Sequence, residues 1–309
     1  MLQLNKEIVV YLDFCKNQKK LSEKTVKAYS IDLMQFQQYI SKSAAYLDKP
    51  GITGYITHLH KTFSPKTVKR KLASVKAFFS YLEFEEIIPE NPMGRIKTKF
   101  QEPQVLPRTI PLKTIKKLFA VAYKKLSQAK TPYAARVAQR NIAIIELLFA
   151  TGMRVSELCS LSADDINLDD GSVRIMGKGA KERVLQIGNR EVLTALRKYK
   201  SDFLPLINET GFFFLSRLGQ RHSEQSVRFM IQNFCLHAGV ALHITPHMFR
   251  HSFATLLLEE DVDIRYIQRM LGHSSIQTTQ IYTQVTAEKQ RQILAAKHPR
   301  NKLTFDSSE

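Results

Sequence analysis

The chain reads as a mainly α-helical protein of two domains with one small β-hairpin or sheet, on three observations. Apolar residues recur at helical spacing along most of its 309 residues. One stretch, SVRIMGKGAKERVLQI (172–187), instead alternates apolar and polar residues on either side of a glycine-bearing turn. Between Ile96 and Leu112 the sequence IKTKFQEPQVLPRTIPL holds three prolines and no apolar period, the pattern of a semi-rigid linker. The expected division is a helical domain over 1–96, a linker over 97–111 and a second domain over 112–309 that carries the hairpin.

In the first domain, SEKTVKAYSIDLMQFQQYI sets Val26, Tyr29, Leu33, Phe36 and Ile40 on one helical face behind Ser22, whose hydroxyl suits an N-cap. SPKTVKRKLASVKAFFSYLEF repeats the design. Val68, Leu72, Val75, Phe79 and Leu82 share a face, and Lys66, Lys69, Arg70, Lys71 and Lys76 fall mostly off it. A solvated surface is the ordinary use of such charge; in a chain this basic, contact with a DNA backbone becomes the better reading. After the linker, helical patterning returns in IKKLFAVAYKKL and in the long run YAARVAQRNIAIIELLFATGMRVSELCSL. It gives way to the hairpin around Gly177–Lys181 and resumes to about Lys297.

With 46 Lys and Arg against 28 Asp and Glu, the chain carries a net charge of +18, and its 44% hydrophobic content excludes a disordered tail. Residues 1–100 hold 17 basic and 9 acidic side chains, so both domains are basic and a polyanion is the natural partner. No apolar run of about 18 residues, signal peptide or lipidation motif is present, which favours nucleic acid over a membrane. Cys15, Cys159 and Cys235 form no C-x-x-C pair; they imply neither a disulfide framework nor a zinc knuckle and fit a reducing cytoplasm.

The segment TPHMFRHSFATLLLEEDVDIRYIQRMLGHSSIQTTQIYTQV gathers His247, Arg250, His273 and Tyr282. Thr245 and Pro246 read as a helix start, which puts His247 and Arg250 on one face beside the positive end of the helix dipole, a place for an anion. The next helix is expected to stop at Gly272, leaving His273 at a corner and Tyr282 nine residues further on. Other readings fail on detail. His247 and His251 have a zinc spacing, but Met248 stands where a zincin needs Glu. GHSSI lacks the last glycine of a nucleophile elbow, and GKGAKER is no P-loop. Neither a metal nor a cofactor is expected.

ATGMRVSEL (150–158), GKGAKER (177–183), HMFRH (247–251), LGHSS (271–275) and TTQIYT (278–283) resemble, in order and spacing, the boxes of the tyrosine recombinase (phage integrase) family. SEKTVKAYSIDLMQF likewise resembles that family's helical, SAM-like core-binding domain. Within the family the chain is most similar to Xer-type recombinases and the integrases of mobile elements. The resemblance implies a two-domain clamp around duplex DNA, with strand exchange through a 3′-phosphotyrosyl intermediate that needs neither ATP nor metal. It implies that Arg154 and Arg250 hold the scissile phosphate and His273 donates a third hydrogen bond. His247 accepts the phenolic proton, Lys178 protonates the leaving 5′ oxygen and Tyr282 attacks. Glu157 would orient a guanidinium, and Lys181 and Arg183 would join the DNA contacts.

The chemistry fits those residue types. Guanidinium groups stabilise the charge that develops on a phosphate attacked in line, and a phenol of pKa about 10 needs a base or a cationic field. One departure is visible: the family often shows a Val-Pro pair after this box, whereas this chain reads Val184-Leu185-Gln186-Ile187. Strand exchange between two duplexes implies a homotetramer, or a related recombinase as partner, on a specific DNA site. AEKQRQILAAKHPRNKLTF, after Tyr282, is the segment expected to link neighbours. A type IB topoisomerase-like enzyme and a non-catalytic DNA-binding regulator are the rival readings. The residues do not choose between dimer resolution and mobile-element integration, although the short stretch before residue 20 speaks against an additional arm-binding domain.

Overall fold

The computed structural model describes residues 4–43, 48–94, 96, 100, 108–176, 182–272 and 287–303. The chain divides into two units, Met1–Val105 and Leu106–Glu309, each with its own apolar core.

The first unit is built from α1 (Leu4–Asn17), α2 (Glu23–Ser43), α3 (Lys49–Thr62) and α4 (Pro65–Phe84). Ser22 starts α2 as its hydroxyl suggests, its Oγ accepting from the Thr25 amide at 3.2 Å. Leu33 and Phe36 of α2 and Val68, Leu72, Val75, Phe79 and Leu82 of α4 are buried with Tyr11, Tyr55 and Phe78. Lys71 departs from the expected DNA contact. It is buried against α2, where its Nζ donates to Asp32 Oδ1 at 3.0 Å and to Gln35, and it lies 4.8 Å from the Phe63 ring centre. Asp32, fully buried, also accepts from Ser74 Oγ at 2.9 Å and from Arg70. A carboxylate taken out of water demands such partners, and they consume the ammonium that a phosphate would otherwise meet.

The second unit contains α5 (Leu112–Ser127), α6 (Pro132–Thr151), α7 (Val155–Ser160), α8 (Arg190–Thr210), α9 (Glu224–His237), α10 (Pro246–Glu259), α11 (Ile264–Leu271) and α12 (Ala287–Lys297). The expected hairpin is a three-stranded antiparallel sheet, β1 (Ile166–Asn167), β2 (Ser172–Met176) and β3 (Glu182–Gln186), in the order β1-β2-β3. Two-residue β1 is too short to show an alternation. Val173 pairs with Leu185 and Ile175 with Arg183, so these four side chains share the core-facing side. The second half of α6, Ile142 to Thr151, is buried on every face, which makes it the axis of the unit.

The run expected as one helix through ATGMRVSEL is two. Gly152 closes α6 in the left-handed region at φ +60°, and a Cβ there would lie 2.7 Å from the Phe253 ring. After α12, residues 298–303 pack against the core of the unit. Arg300 donates through Nε to Glu146 Oε2 and through Nη2 to Oε1, both at 2.8 Å, and Tyr123 donates to the same carboxylate at 2.7 Å. His298 sits beside them, its Nε2 3.0 Å from the Phe149 carbonyl and its Nδ1 accepting from the Arg300 amide at 2.9 Å.

Burial, with the nearby Arg140 or Arg300 cation, pushes His222 and His298 down to about 4. Both are neutral in the fold and gain a proton on unfolding, so their stabilisation is complete above pH 6.5 and is lost as pH falls towards 4. Each contributes up to ~3 kcal/mol over that window. Among the described residues neither ring nitrogen of His222 has a hydrogen-bond partner, so His222→Leu is expected to keep its stability at pH 7 and to lose less than wild type at pH 4.5. Urea unfolding at the two pH values measures this; parallel losses in both proteins contradict it.

Candidate active site

The turn at Gly152 makes Arg154 the residue that caps α7. Glu157, in the first turn of that helix, accepts the Arg154 backbone N–H on Oε2 at 2.7 Å and Arg154 Nη1 on Oε1 at 2.8 Å. Arg183 reaches the same carboxylate from β3, Nη1 to Oε1 at 3.0 Å and Nη2 to Oε2 at 2.7 Å, while its Nε donates to the Met270 carbonyl at 3.0 Å. Burial alone would raise Glu157, but the hydrogen bonds and charges of Arg183 and Arg154 outweigh it and hold the carboxyl below its usual range.

Arg250 comes from α10, whose start at Thr245 and Pro246 matches the expected cap position. Its side chain is 4% exposed, and it donates to the Gly152 carbonyl at 2.9 Å and to the Leu271 carbonyl at 2.5 Å. Those oxygens lie at the ends of α6 and α11, where helix dipoles place negative charge. Burial lowers Arg250 to about 10, and the neighbouring Arg154 and Arg183 act in the same direction against Glu157. Three guanidinium groups therefore surround one carboxylate, and Arg154, with its side chain 35% exposed, turns the surplus positive charge towards solvent. This is a site short of an anion.

His247 stands at the same place. Although it reaches solvent, its imidazole is held below the usual range by partial burial and by His251, Arg250, Arg154 and Arg228. It is neutral at neutral pH and able to accept a proton. Among the described residues no three His, Cys, Asp or Glu side chains form a metal-binding group.

The structure thus brings together Arg154, Glu157, His247 and Arg250 of the expected set and adds Arg183, whose fork points inward. α11 ends at Gly272, as its position predicts, and Gly272 adopts φ +64°. Lys178, Lys181, His273 and Tyr282 lie outside the described residues. Lys66, Lys69, Arg70 and Lys76 are exposed on α4, with Arg70 also bonded to Asp32. Sequence reasoning missed the two carbonyls that hold Arg250, which no side-chain pattern reveals. It also missed the inward aim of Arg183, which the alternation Arg183, Leu185, Ile187 does reveal.

A family model described as phage integrase family matches residues 113–289, and one described as phage integrase, N-terminal SAM-like domain matches residues 8–86. A tyrosine recombinase of Agathobacter rectalis is 53% identical over 311 residues, covering 99% of this chain and 100% of the relative. Tyrosine recombinase XerD of Listeria innocua is 36% identical over 307 residues, with 96% and 100% covered. Tyrosine recombinase XerC of Myxococcus xanthus is 35% identical over 295 residues, with 92% and 95% covered. Two solved structures share the fold. XerH site-specific recombinase bound to palindromic difH substrate, in a post-cleavage complex, gives a TM-score of 0.68 at 22% identity, covering 93% of this chain and 81% of that one. A lambda integrase tetramer bound to a Holliday junction gives 0.67 at 16% identity, with 89% and 78% covered.

The bonds of Arg250 generate a stability prediction. Lysine at this position keeps the charge but cannot span two carbonyls on different helices. Arg250→Lys is expected to cost about 2 kcal/mol, the range for a lost hydrogen bond to a charged group. Urea unfolding checks it, and unchanged stability would show that the two bonds hold nothing in place.

Proposed function

This chain belongs to the phage integrase family and is a tyrosine recombinase, an enzyme of DNA strand cleavage and religation, and from that premise we propose that Tyr282 is its nucleophile and Arg154 and Arg250 its phosphate ligands. The observation that carries the reading is the convergence of Arg154, Arg250 and a neutral His247 on one anion-deficient site. A phosphate entering it meets planar, permanently cationic donors whose orientation is set before the reaction begins, so little reorganisation is needed as charge develops. His247 takes the phenolic proton as Tyr282 attacks phosphorus. Lys178 gives a proton to the departing 5′ oxygen, and His273 adds a donor to the non-bridging oxygens. The 3′-phosphotyrosyl bond keeps the energy of the broken phosphodiester, so religation by a 5′ hydroxyl needs no external energy source.

The substrate is duplex DNA carrying a specific site. Lys66, Lys69, Arg70 and Lys76 of the first domain, taken as 1–96, contact the backbone with Lys181 of the second, 112–309. We read the working assembly as a tetramer on DNA, the state in which the lambda integrase structure was solved, and the location as cytoplasmic. No described helix is long and apolar enough to cross a membrane. The activity serves integration and excision or dimer resolution alike.

Tyr282→Phe removes only the phenolic oxygen. The variant is expected to bind a nicked suicide substrate as wild type does and to form no covalent adduct; an adduct that persists, on Tyr266 for example, overturns the assignment. For Lys178→Ala, loss of the general acid is expected to slow cleavage by about 10²- to 10⁴-fold. A substrate with sulfur as the 5′ bridging atom leaves as a thiolate and should restore cleavage by this variant but not by Arg154→Ala. Rescue of Lys181→Ala instead would make Lys181 the proton donor.

A further inference from the structure

We propose that Arg183 is a positioning residue of the cleavage site: by filling the lone pairs of Glu157 and binding the end of α11, it keeps the free face of Arg154 available to the phosphate, and it does not itself touch DNA. The proposal rests on the reading of Arg154 as a phosphate ligand.

The direction of Arg183 follows from strand register. It pairs with Ile175, which is 1% exposed, and in an antiparallel sheet paired residues share a face, so its side chain enters the core side. Only 12% of the side chain is exposed. The chain at the end of α11 closes over it, since a Cβ at Gly272 would lie 3.0 Å from Nη1 and 3.1 Å from Cδ of Arg183. Any residue but glycine there would press on the guanidinium.

Its effect follows from counting acceptors. A carboxylate offers about four lone-pair sites. At Glu157, Oε1 accepts Arg154 Nη1 and Arg183 Nη1, and Oε2 accepts the Arg154 amide and Arg183 Nη2. The carboxylate is full, so Arg154 holds it by one guanidinium nitrogen only. Without Arg183, two acceptor sites of the carboxylate stand open beside Arg154. A second guanidinium nitrogen then closes into the bidentate pair that arginine and carboxylate prefer. That pairing turns Arg154 away from the phosphate. The same loss releases the Met270 carbonyl, two residues before the Gly272 from which the chain continues to His273.

The test uses the full-length protein and a nicked suicide duplex at saturating concentration. Arg183→Met is expected to slow adduct formation by about 10²-fold, the scale of a misplaced reacting group, and to leave the salt dependence of DNA binding unchanged. Adding Glu157→Gln should recover at least a tenfold part of the loss. The neutral amide still caps the Arg154 N–H through its oxygen but no longer captures the guanidinium. Arg183→Lys, which retains the charge without the fork, should be slowed less and be restored by the same second substitution, and it serves if the methionine variant is unstable. A wild-type rate in Arg183→Met, or a double variant as slow as the single one, overturns the proposal. A fall in the salt slope of about 0.9 makes Arg183 a phosphate contact instead. If Arg154→Ala itself cleaves at the wild-type rate, the failure lies in the phosphate-ligand reading beneath it.

Discussion

The bond pair on which the rest of the second unit depends is that of Arg250 with the Gly152 and Leu271 carbonyls. A guanidinium buried this deeply ordinarily needs a carboxylate to balance it. Here two helix ends share the task, each presenting a carbonyl that its own helix leaves unpaired. The interaction joins α6, the buried axis, to α11, and it does so from α10, so three helices are fixed by one side chain. Because the balancing charges are partial, Arg250 remains electrically unsatisfied. Its pKa falls but stays far above neutrality, and two of its five N–H groups serve these carbonyls. The same bond that holds the fold thus leaves a cation in want of an anion.

Three buried carboxylates organise the chain by the opposite logic. Asp32, Glu146 and Glu157 are each matched to a full cation and further donors. Removing one partner of such a pair leaves a charge without water, a penalty of roughly 3–5 kcal/mol. That penalty makes each cluster a point of specificity: α2 with α4 at Asp32, α7 with β3 at Glu157, and α6 with the segment after α12 at Glu146. The last of these holds residues 298–303 of the expected linking segment on their own chain.

How much of this was legible beforehand depends on the range of the interaction. Local periodicity revealed α2 and α4, since the burial of Leu33, Phe36, Val68 and Phe79 repeats with the helical turn. Local chemistry revealed the cap at Ser22, the start of α10 after Thr245, whose side chain makes no capping bond, and the stop at Gly272. The break at Gly152 was hidden because the apolar pattern runs on through it, and its left-handed backbone and the close approach of Phe253 and Leu271, both far along the sequence, show why glycine is needed. Lys71 misled for the same reason, as its partner Asp32 is 39 residues distant on another helix. The site was legible as a set of residue types in order. Its frame was not, because the atoms that orient Arg250 belong to the main chain.

That last fact bears on how freely the sequence can drift. Arg250 binds the oxygens of Gly152 and Leu271, and Arg183 binds that of Met270. Every amino acid supplies the same carbonyl, so replacing Met270 or Leu271 by another apolar residue removes no acceptor. The glycines at 152 and 272 have no such latitude, for a side chain at either would collide with Phe253 or Arg183. The frame therefore rests on two arginines and on two residues that have no side chain at all. Met270 and Leu271 enter it through their main chain alone, so this part of the geometry is carried by the path of the backbone more than by the identity of the residues along it.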